Sequence, residues 1–272
     1  MTPLPYGIDF FERGWLSSNN VLIHDHEQAV LIDSGYYTHA QQTHALVSSV
    51  LDKPLTALIN THLHSDHCGG NAFLQSQYPN LKTYVPNGHA HFVDSWNPAA
   101  LSYTLTGQHC PPFKKTGVLS DGDVFAISNK EWRCYSAPGH DPHSVIFFNG
   151  VDGILISADA LWENGFGVVF PEIEGISAFD EIEATLDIIE QLKPRIVLPG
   201  HGSAFEDVQL ALSRAKSRLA QFRNDPTVHA SYAAKVLLKF KLLELQQLPY
   251  AEFLNWATNV PYLQTLASKY FG

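Results

Sequence analysis

Apolar residues recur with two different periods along the chain, and the change between them divides the sequence. Up to about residue 204, short runs rich in β-branched and aromatic residues alternate with amphipathic stretches. These runs predict strands at 21–23, 29–33, 56–60, 124–127, 132–136, 145–148, 153–157 and 196–198. Three- and four-residue spacing predicts helices near 39–51, 69–78 and 178–192. Strands and helices mixed in this way predict a layered α/β fold.

The strand pattern disappears after residue 204. From 205 to 272 apolar residues recur at three- and four-residue steps, and Pro249 and Pro261 stand where a first helical turn can begin. This region is expected to form three or four helices. We expect the helices to cap the main domain, to line a substrate pocket or to mediate formation of a homodimer.

Composition narrows the class of protein. The 272 residues carry a formal charge of -10, so nucleic acid is not an expected partner, because binding to phosphates rests on clusters of Lys and Arg. No apolar run reaches the roughly 18 residues of a membrane-spanning helix, and the first residues do not resemble a signal peptide. The three cysteines are scattered, which favours reduced thiols. We therefore expect a cytoplasmic protein that does not contact membranes.

The 14 histidines are more informative than the charge, because four chemically active side chains lie within six residues. His62 and His64 follow a predicted strand two residues apart, so in extended backbone they point to one side. Asp66 and His67 come after them, beside a Gly-Gly pair that permits a sharp bend. Imidazole and carboxylate ligands without thiolate suit zinc, and iron or manganese are also compatible. The segment predicts a metal site.

Three further residues are predicted at the same edge of the sheets. His140 and His201 each follow a glycine just after a predicted strand, and Asp159 ends an apolar run. In layered α/β folds, functional sites form at the edge where strands end. We therefore expect these three side chains to meet the cluster around His62.

The ordered motif His62-x-His64-x-Asp66-His67, then His140, Asp159 and His201, resembles the ligand pattern of the metallo-β-lactamase fold superfamily. The resemblance covers about residues 20–202 and includes Leu-Ile-Asp-Ser-Gly at 31–35. It implies a four-layer αββα sandwich with a metal site along one edge of two sheets. The expected domains are a catalytic domain at 1–204 and a helical C-terminal extension at 205–272.

The resemblance also implies a role for each residue of the motif. One metal would be bound by His62, His64 and His140, and a second by Asp66, His67 and His201. Asp159 would bridge two zinc ions together with a hydroxide. Asp33 would steady the loop without binding metal.

Such a site implies hydrolysis of a small-molecule acyl ester or thioester by the bridging hydroxide, with Asp66 orienting the nucleophile and carrying a proton. A helical extension after the final Gly-His-Gly resembles the arrangement in glyoxalase II. Three alternatives remain: a lactonase or β-lactamase, an iron persulfide dioxygenase with one metal, and a phosphodiesterase or ribonuclease. Tail residues available to hold phosphates are Arg214, Lys216, Arg218 and Arg223.

Several neighbouring residues carry smaller predictions. Asp141 is expected to accept a hydrogen bond from a ligand imidazole, whereas His143 is expected to be a loop histidine or an additional proton donor. Cys68 is expected to be a buried core thiol. The segment 161–175 is expected to border the site, and the segment 95–117 is expected to be a long loop that covers the cleft.

Overall fold

The computed structural model describes residues 2–127 and 129–272 and, within them, contains eleven strands and eleven α-helices. The strands are β1 (Ile8–Phe11), β2 (Asn20–His24), β3 (Ala29–Ile32), β4 (Ala57–Ile59), β5 (Lys82–Pro86), β6 (Gly117–Leu119), β7 (Val124–Ile127), β8 (Lys130–Ser136), β9 (Val145–Asn149), β10 (Ile154–Ala158) and β11 (Ile196–Pro199). The helices are α1 (Ala40–Val50), α2 (Ser65–Cys68), α3 (Asn71–Gln77), α4 (Ala90–Asp94), α5 (Tyr103–Thr106), α6 (Phe170–Glu174), α7 (Phe179–Leu192), α8 (Val208–Asn224), α9 (Pro226–Leu245), α10 (Tyr250–Asn259) and α11 (Pro261–Tyr270).

The strands form two mixed sheets. The first sheet has the order β1-β2-β3-β4-β5-β6, and the second has the order β11-β10-β9-β8-β7. In the first sheet, β3, β4, β5 and β6 are parallel to one another. In the second sheet, β10 and β11 are parallel, and β8 runs the same way because β9 is antiparallel to both of its neighbours. Each sheet therefore has an edge at which several strands end together.

Alternating side chains along the strands explain how the layers stack. In the first sheet, Leu22, Leu31 and Leu58 face outward and pack against α1 and α3. The residues between them, such as Val21 and Ile32, point the other way and pack against Trp132 and other residues of the second sheet. The outer face of the second sheet is covered by α7 and α8. This arrangement confirms the predicted sandwich of two sheets between helical layers.

The tail forms four helices and confirms the predicted helical extension. The first of them, α8, packs in the same buried cluster as α7, with Ala211, Leu212 and Leu219 against the second sheet. The helices α9 and α11 form a separate cluster with α6. The boundary between 204 and 205 stays a prediction, and α8 is joined to the catalytic layers by apolar packing. None of the helices in the described residues has the length and apolar character needed to cross a bilayer.

Candidate metal centre

The segment that carries the four-residue motif turns sharply between β4 and α3. The turn requires glycine at two positions. A Cβ atom on Gly69 would clash with the carbonyl oxygen of Ser65 at 2.5 Å, and one on Gly70 would clash with that of Ser34 at 2.6 Å. The backbone N–H of Val145 donates to the carbonyl oxygen of Thr61 at 2.9 Å, which ties the segment to the second sheet. The backbone N–H of Ser34 donates to the carbonyl oxygen of His67 at 2.7 Å, which holds the motif against the loop that follows β3.

All seven predicted ligands converge at the common edge of the two sheets. Their donor atoms fall into three groups, and within each group these atoms lie within 4.8 Å of one another. The groups are His62, His64 and His140; His62, His67 and Asp159; and Asp66, His67 and His201. The first and third groups match the two ligand sets implied by the motif. The middle group shares a histidine with each of the others.

Asp159 lies between the two outer groups. Its Oδ1 atom is 3.4 Å from Nε2 of His67, and its Oδ2 atom is 3.4 Å from Nε2 of His140 and 3.8 Å from Nε2 of His201. The indole N–H of Trp162 donates to Oδ1 at 3.2 Å. The carboxylate therefore faces histidines of both outer groups, as a bridging ligand must.

The donor atoms fit a bound cation. The Nε2 atoms of His62 and His67 are buried and make no hydrogen bond, although a buried polar atom normally has a partner. Nδ1 of His64 lies 2.9 Å from Nε2 of His140, a spacing at which both nitrogens can direct a lone pair toward one ion. Nitrogen and carboxylate donors without a thiolate suit divalent zinc, iron or manganese. These observations support binding of a divalent metal.

Burial keeps two of these imidazoles ready to act as ligands. It lowers the pKa of His62 well below the ordinary value, and the neighbouring His67 adds to this effect. Burial and the nearby His140 lower the pKa of His64 to about 4. Both rings are therefore neutral at pH 7, and a neutral imidazole has the lone pair that a metal requires.

Asp33 supports His67 from the side away from the cluster. Its backbone has a φ of 59°, and its carboxylate accepts hydrogen bonds from the backbone N–H of Thr61 at 2.9 Å and from the Thr61 hydroxyl at 2.8 Å. Oδ2 also lies 2.7 Å from Nδ1 of His67. Asp33 thus orients the ring from behind and leaves Nε2 facing the other ligands.

A cavity of about 480 Å³ opens on the cluster. Its inner end is formed by predicted ligands that include Asp66 and His201, and Trp162 and Phe170 of the 161–175 segment form part of its wall. Phe166, from the same segment, is instead buried in the core against Phe222. The segment 95–117 contributes Thr106 and Gln108 to the wall, while much of it is anchored in a separate apolar cluster.

The outer wall of the cavity contains residues that sequence patterns did not identify. Trp15, which precedes β2, stacks on His201 with ring centroids 5.3 Å apart and lies beneath the Lys239 ammonium group at 4.9 Å. Lys235 and Lys239 lie one helical turn apart on α9, and both line the cavity. Their four-residue spacing was the available signal. Trp15 had none, because it stands in an irregular segment far from the motif.

The four basic tail residues considered for phosphate binding have different surroundings. Arg218 lines the cavity and lies over the ring of Tyr232 at 5.3 Å. Lys216 and Arg223 form ion pairs with carboxylates of α7, and Arg214 donates to the carbonyl oxygen of Glu163. Only Arg218 of this set therefore faces the cavity.

The residues flanking the motif differ in their relation to the site. Oδ2 of Asp141 lies 3.8 Å from Nε2 of His64, longer than the predicted hydrogen bond. The His143 ring packs against His89 with centroids 4.3 Å apart and does not line the cavity described above. Cys68 is fully buried, with its Sγ atom 3.8 Å from Sγ of Cys110.

Known proteins resemble this chain in sequence and in fold. The chain is 27% identical over 224 residues to a hydroxyacylglutathione hydrolase of Synechococcus sp. (strain JA-3-3Ab), covering 80% of this chain and 74% of that protein. It is 24% identical over 218 residues to the acyl-coenzyme A thioesterase MBLAC2 of Homo sapiens, covering 72% and 76%. A metallo-β-lactamase family protein from Thermus thermophilus superimposes with a TM-score of 0.64 at 19% identity, covering 98% of this chain and 95% of that one.

The family assignment follows from these similarities and from the site. Relatives with hydrolase and thioesterase names, together with the cluster of metal-binding side chains, support the predicted class of metal-dependent hydrolase. A sequence profile described as the metallo-beta-lactamase superfamily matches residues 13–201, which is more than half of the chain. The chain therefore belongs to the metallo-β-lactamase superfamily.

Proposed function

We propose that this chain is a binuclear metal hydrolase that cleaves small anionic acyl thioesters. One observation carries the proposal: five imidazoles and two carboxylates form one cluster, and three of the imidazoles and both carboxylates line a cavity whose wall also carries three cationic side chains. His62, His64 and His140 would hold one ion, and Asp66, His67 and His201 the other. Asp159 would contact both.

Two ions held there would lower the pKa of a water molecule to about 7 and would polarise the substrate carbonyl. Asp66 is suited to move the proton of that water. Its side chain is 15% exposed, against 6% or less for His67, His140, Asp159 and His201. Its Oδ2 atom lies 3.1 Å from Nε2 of His201. Asp66 is therefore the carboxylate that can both face the cluster and exchange a proton with a group in the cavity.

The other side chains of the cavity favour a thioester over an ordinary ester. A thiol has a pKa of roughly 8.5 and leaves readily as thiolate, whereas an alkoxide must be protonated as it leaves. Within the described residues, each histidine that lines this cavity belongs to the predicted ligand set. The cavity therefore offers no additional imidazole as an acid, and a good leaving group makes one unnecessary.

The charge of the substrate is inferred from the outer wall. Arg218, Lys235 and Lys239 line the cavity and, among the described residues, none of them forms an ion pair with a carboxylate. Three other tail cations form ion pairs: Lys216 and Arg223 with carboxylates of α7, and Lys241 with Glu244 at 2.8 Å. Unneutralised cations in a concave site attract anions. Similarity to a hydroxyacylglutathione hydrolase and to an acyl-coenzyme A thioesterase also supports an anionic thioester.

Elemental analysis of the reconstituted protein and one substrate panel test the proposal. We expect two zinc, iron or manganese ions per chain and the highest kcat/KM for thioesters that carry a carboxylate or phosphate. Neutral thioesters of equal length, esters, lactones, β-lactams and phosphodiesters complete the panel. Fewer than two ions per chain would refute the binuclear site. Preference for a phosphodiester, or sulfide-dependent oxygen uptake with one iron, would refute the thioesterase activity.

A further inference from the structure

The peptide group between Val168 and Val169 makes two hydrogen bonds that connect the tail to a predicted metal ligand. Its carbonyl oxygen accepts a hydrogen bond from Nδ1 of His140 at 2.5 Å. Its N–H group donates to Nε2 of His229 at 3.1 Å, and His229 belongs to α9. Because a peptide group is planar and rigid, a hydrogen bond that orients its N–H group also orients its carbonyl group. One amide therefore joins the ring of His140 to the tail.

The surrounding backbone forms a close cradle for His140. A Cβ atom added to Gly167 would overlap Nδ1 of His140, so the ring packs directly on the backbone there. The N–H of Gly167 donates to the carbonyl oxygen of Asp159 at 2.9 Å. The segment 167–169 thus contacts two predicted ligands, His140 and Asp159. A change in the orientation of its peptide groups would alter the contacts that position both.

His229 is placed to act as an acceptor. It is 2% exposed and packs against the rings of Phe179 and Phe222, with centroids 5.5 Å and 5.0 Å away. Burial lowers its pKa to about 4, so the imidazole is neutral at pH 7. Because Nε2 accepts the bond from Val169, the proton of the neutral ring lies on Nδ1. This tautomer is the one that the structure requires.

We propose that His229 is a positioning residue, which sets the orientation and tautomer of His140 through the Val168–Val169 peptide group. The inference rests on the proposed function in that it takes His140 to be a metal ligand. With its proton held on Nδ1 by Val168, His140 directs the lone pair of Nε2 toward His64 and Asp159, at 2.9 Å and 3.4 Å.

Loss of the acceptor would act on the metal site through a defined sequence of contacts. Without Nε2 of His229, the buried N–H of Val169 would have no partner, which is strongly unfavourable. Rotation of the peptide to find another acceptor would also turn the carbonyl away from His140. The ring of His140 would then lose the bond that fixes its Nε2 toward the cluster. The helical tail would in this way govern metal affinity from outside the ligand set.

Three variants of the full chain separate positioning from packing. His229→Leu removes the acceptor and keeps an apolar side chain, His229→Gln keeps an oxygen near the position of Nε2, and Phe222→Leu disturbs the same cluster without touching Val169. The affinity of each variant for its two zinc ions is measured by competition with a chromophoric chelator. Urea unfolding of the metal-free proteins measures the free energy of unfolding and hence the effect of lost packing.

We expect His229→Leu to lower the affinity for one of the two zinc ions by roughly 10- to 100-fold. His229→Gln should recover most of that affinity, and Phe222→Leu should lower stability while both affinities remain close to wild type. Equal affinities for His229→Leu and Phe222→Leu would overturn the proposal. If wild type binds two ions but cleaves no thioester, the proposed activity fails while this comparison still decides the role of His229.

A measurement on the wild-type protein covers the case in which His229→Leu does not fold. In ¹⁵N-labelled protein, the hydrogen bond predicts a scalar coupling between the backbone nitrogen of Val169 and Nε2 of His229. Its detection would support the assigned tautomer and bond. Its absence in a folded, well-resolved spectrum would overturn the proposal.

Discussion

Asp33 and His67 are joined by their side chains, with Oδ2 of the carboxylate 2.7 Å from Nδ1 of the ring. Asp33→Asn keeps the shape and tolerates the backbone φ of 59°. It removes the charge that holds the proton of His67 on Nδ1, so we expect zinc affinity to fall roughly 10- to 100-fold. Chelator competition measures this change.

The chain offers a matched control for that substitution. Asp9 and His24 form a similar pair, 2.9 Å apart, on the first two strands and outside the ligand cluster. Asp9→Asn should leave both metal affinities unchanged. An equal loss in the two variants would show that Asp33 acts through general stability.

Asp66→Asn tests proton transfer at the mouth of the cluster. The amide keeps the size of the side chain but cannot accept a proton, so we expect kcat for the thioester to fall by roughly 100-fold or more. Thermal unfolding of the metal-free protein should change little, because Asp66 is partly exposed. Turnover at the wild-type level with a full complement of metal would exclude this role.

Lys235 and Lys239 test how the substrate is held. The double substitution to Gln removes two charges from the cavity wall and leaves the metal ligands untouched, so we expect KM for an anionic thioester to rise about tenfold, which corresponds to roughly 1.4 kcal/mol. The effect on kcat and on a neutral thioester should be small. Lys216→Gln, which removes a cation that pairs with Asp187 and Glu190, is the control. Equal effects on charged and neutral substrates would contradict electrostatic recognition.

The lowered pKa of His229 also predicts that stability depends on pH. Its pKa is about 4 in the folded protein, below the ordinary value of 6.5, so the unfolded chain binds the proton more readily. Stability therefore falls as the pH drops below about 6.5, and the loss levels off near pH 4. Between pH 7.5 and pH 5 the free energy of unfolding should decrease by about 2 kcal/mol through this residue alone.

Urea titrations of metal-free wild type and His229→Gln at the two pH values measure that contribution. The variant should lose correspondingly less stability on acidification, since glutamine does not titrate. Metal-free protein is required because protonation of the ligand histidines would otherwise release metal. Identical losses in both proteins would show that His229 is not the titrating group.

The layered fold could be predicted from the sequence because apolar side chains alternate along its strands. Residues such as Leu22 and Leu31 alternate with Val21 and Ile32, and the two sets face different layers. The strands β1, β5 and β6 were not predicted. The shortest of them is β6. It has three residues at the edge of a sheet, with Val118 exposed, and therefore has little apolar pattern.

The ligands were readable for a different reason: each carries metal-binding chemistry and stands at the end of a predicted strand. Part of the cavity wall was predicted, since the segment 161–175 supplies Trp162 and Phe170, but Trp15, Lys235 and Lys239 were not, because they reach the site only through long-range packing. Trp15 contacts His201 and Lys239, which are more than 180 positions away. The tail helices α8 and α9 thus contribute to the candidate substrate site, which is one of the roles expected for them from the sequence.

The predicted ligands divide between the two sheets, and this division has a consequence for assembly of the chain. Four of them, His62, His64, Asp66 and His67, precede the exposed turn at Asp121–Gly122, and the other three follow it. Cleavage of that turn would yield two fragments, each with an incomplete set of ligands. We expect such fragments to reassociate more tightly when metal is present, because the ions would bind ligands from both fragments and so stabilise their complex.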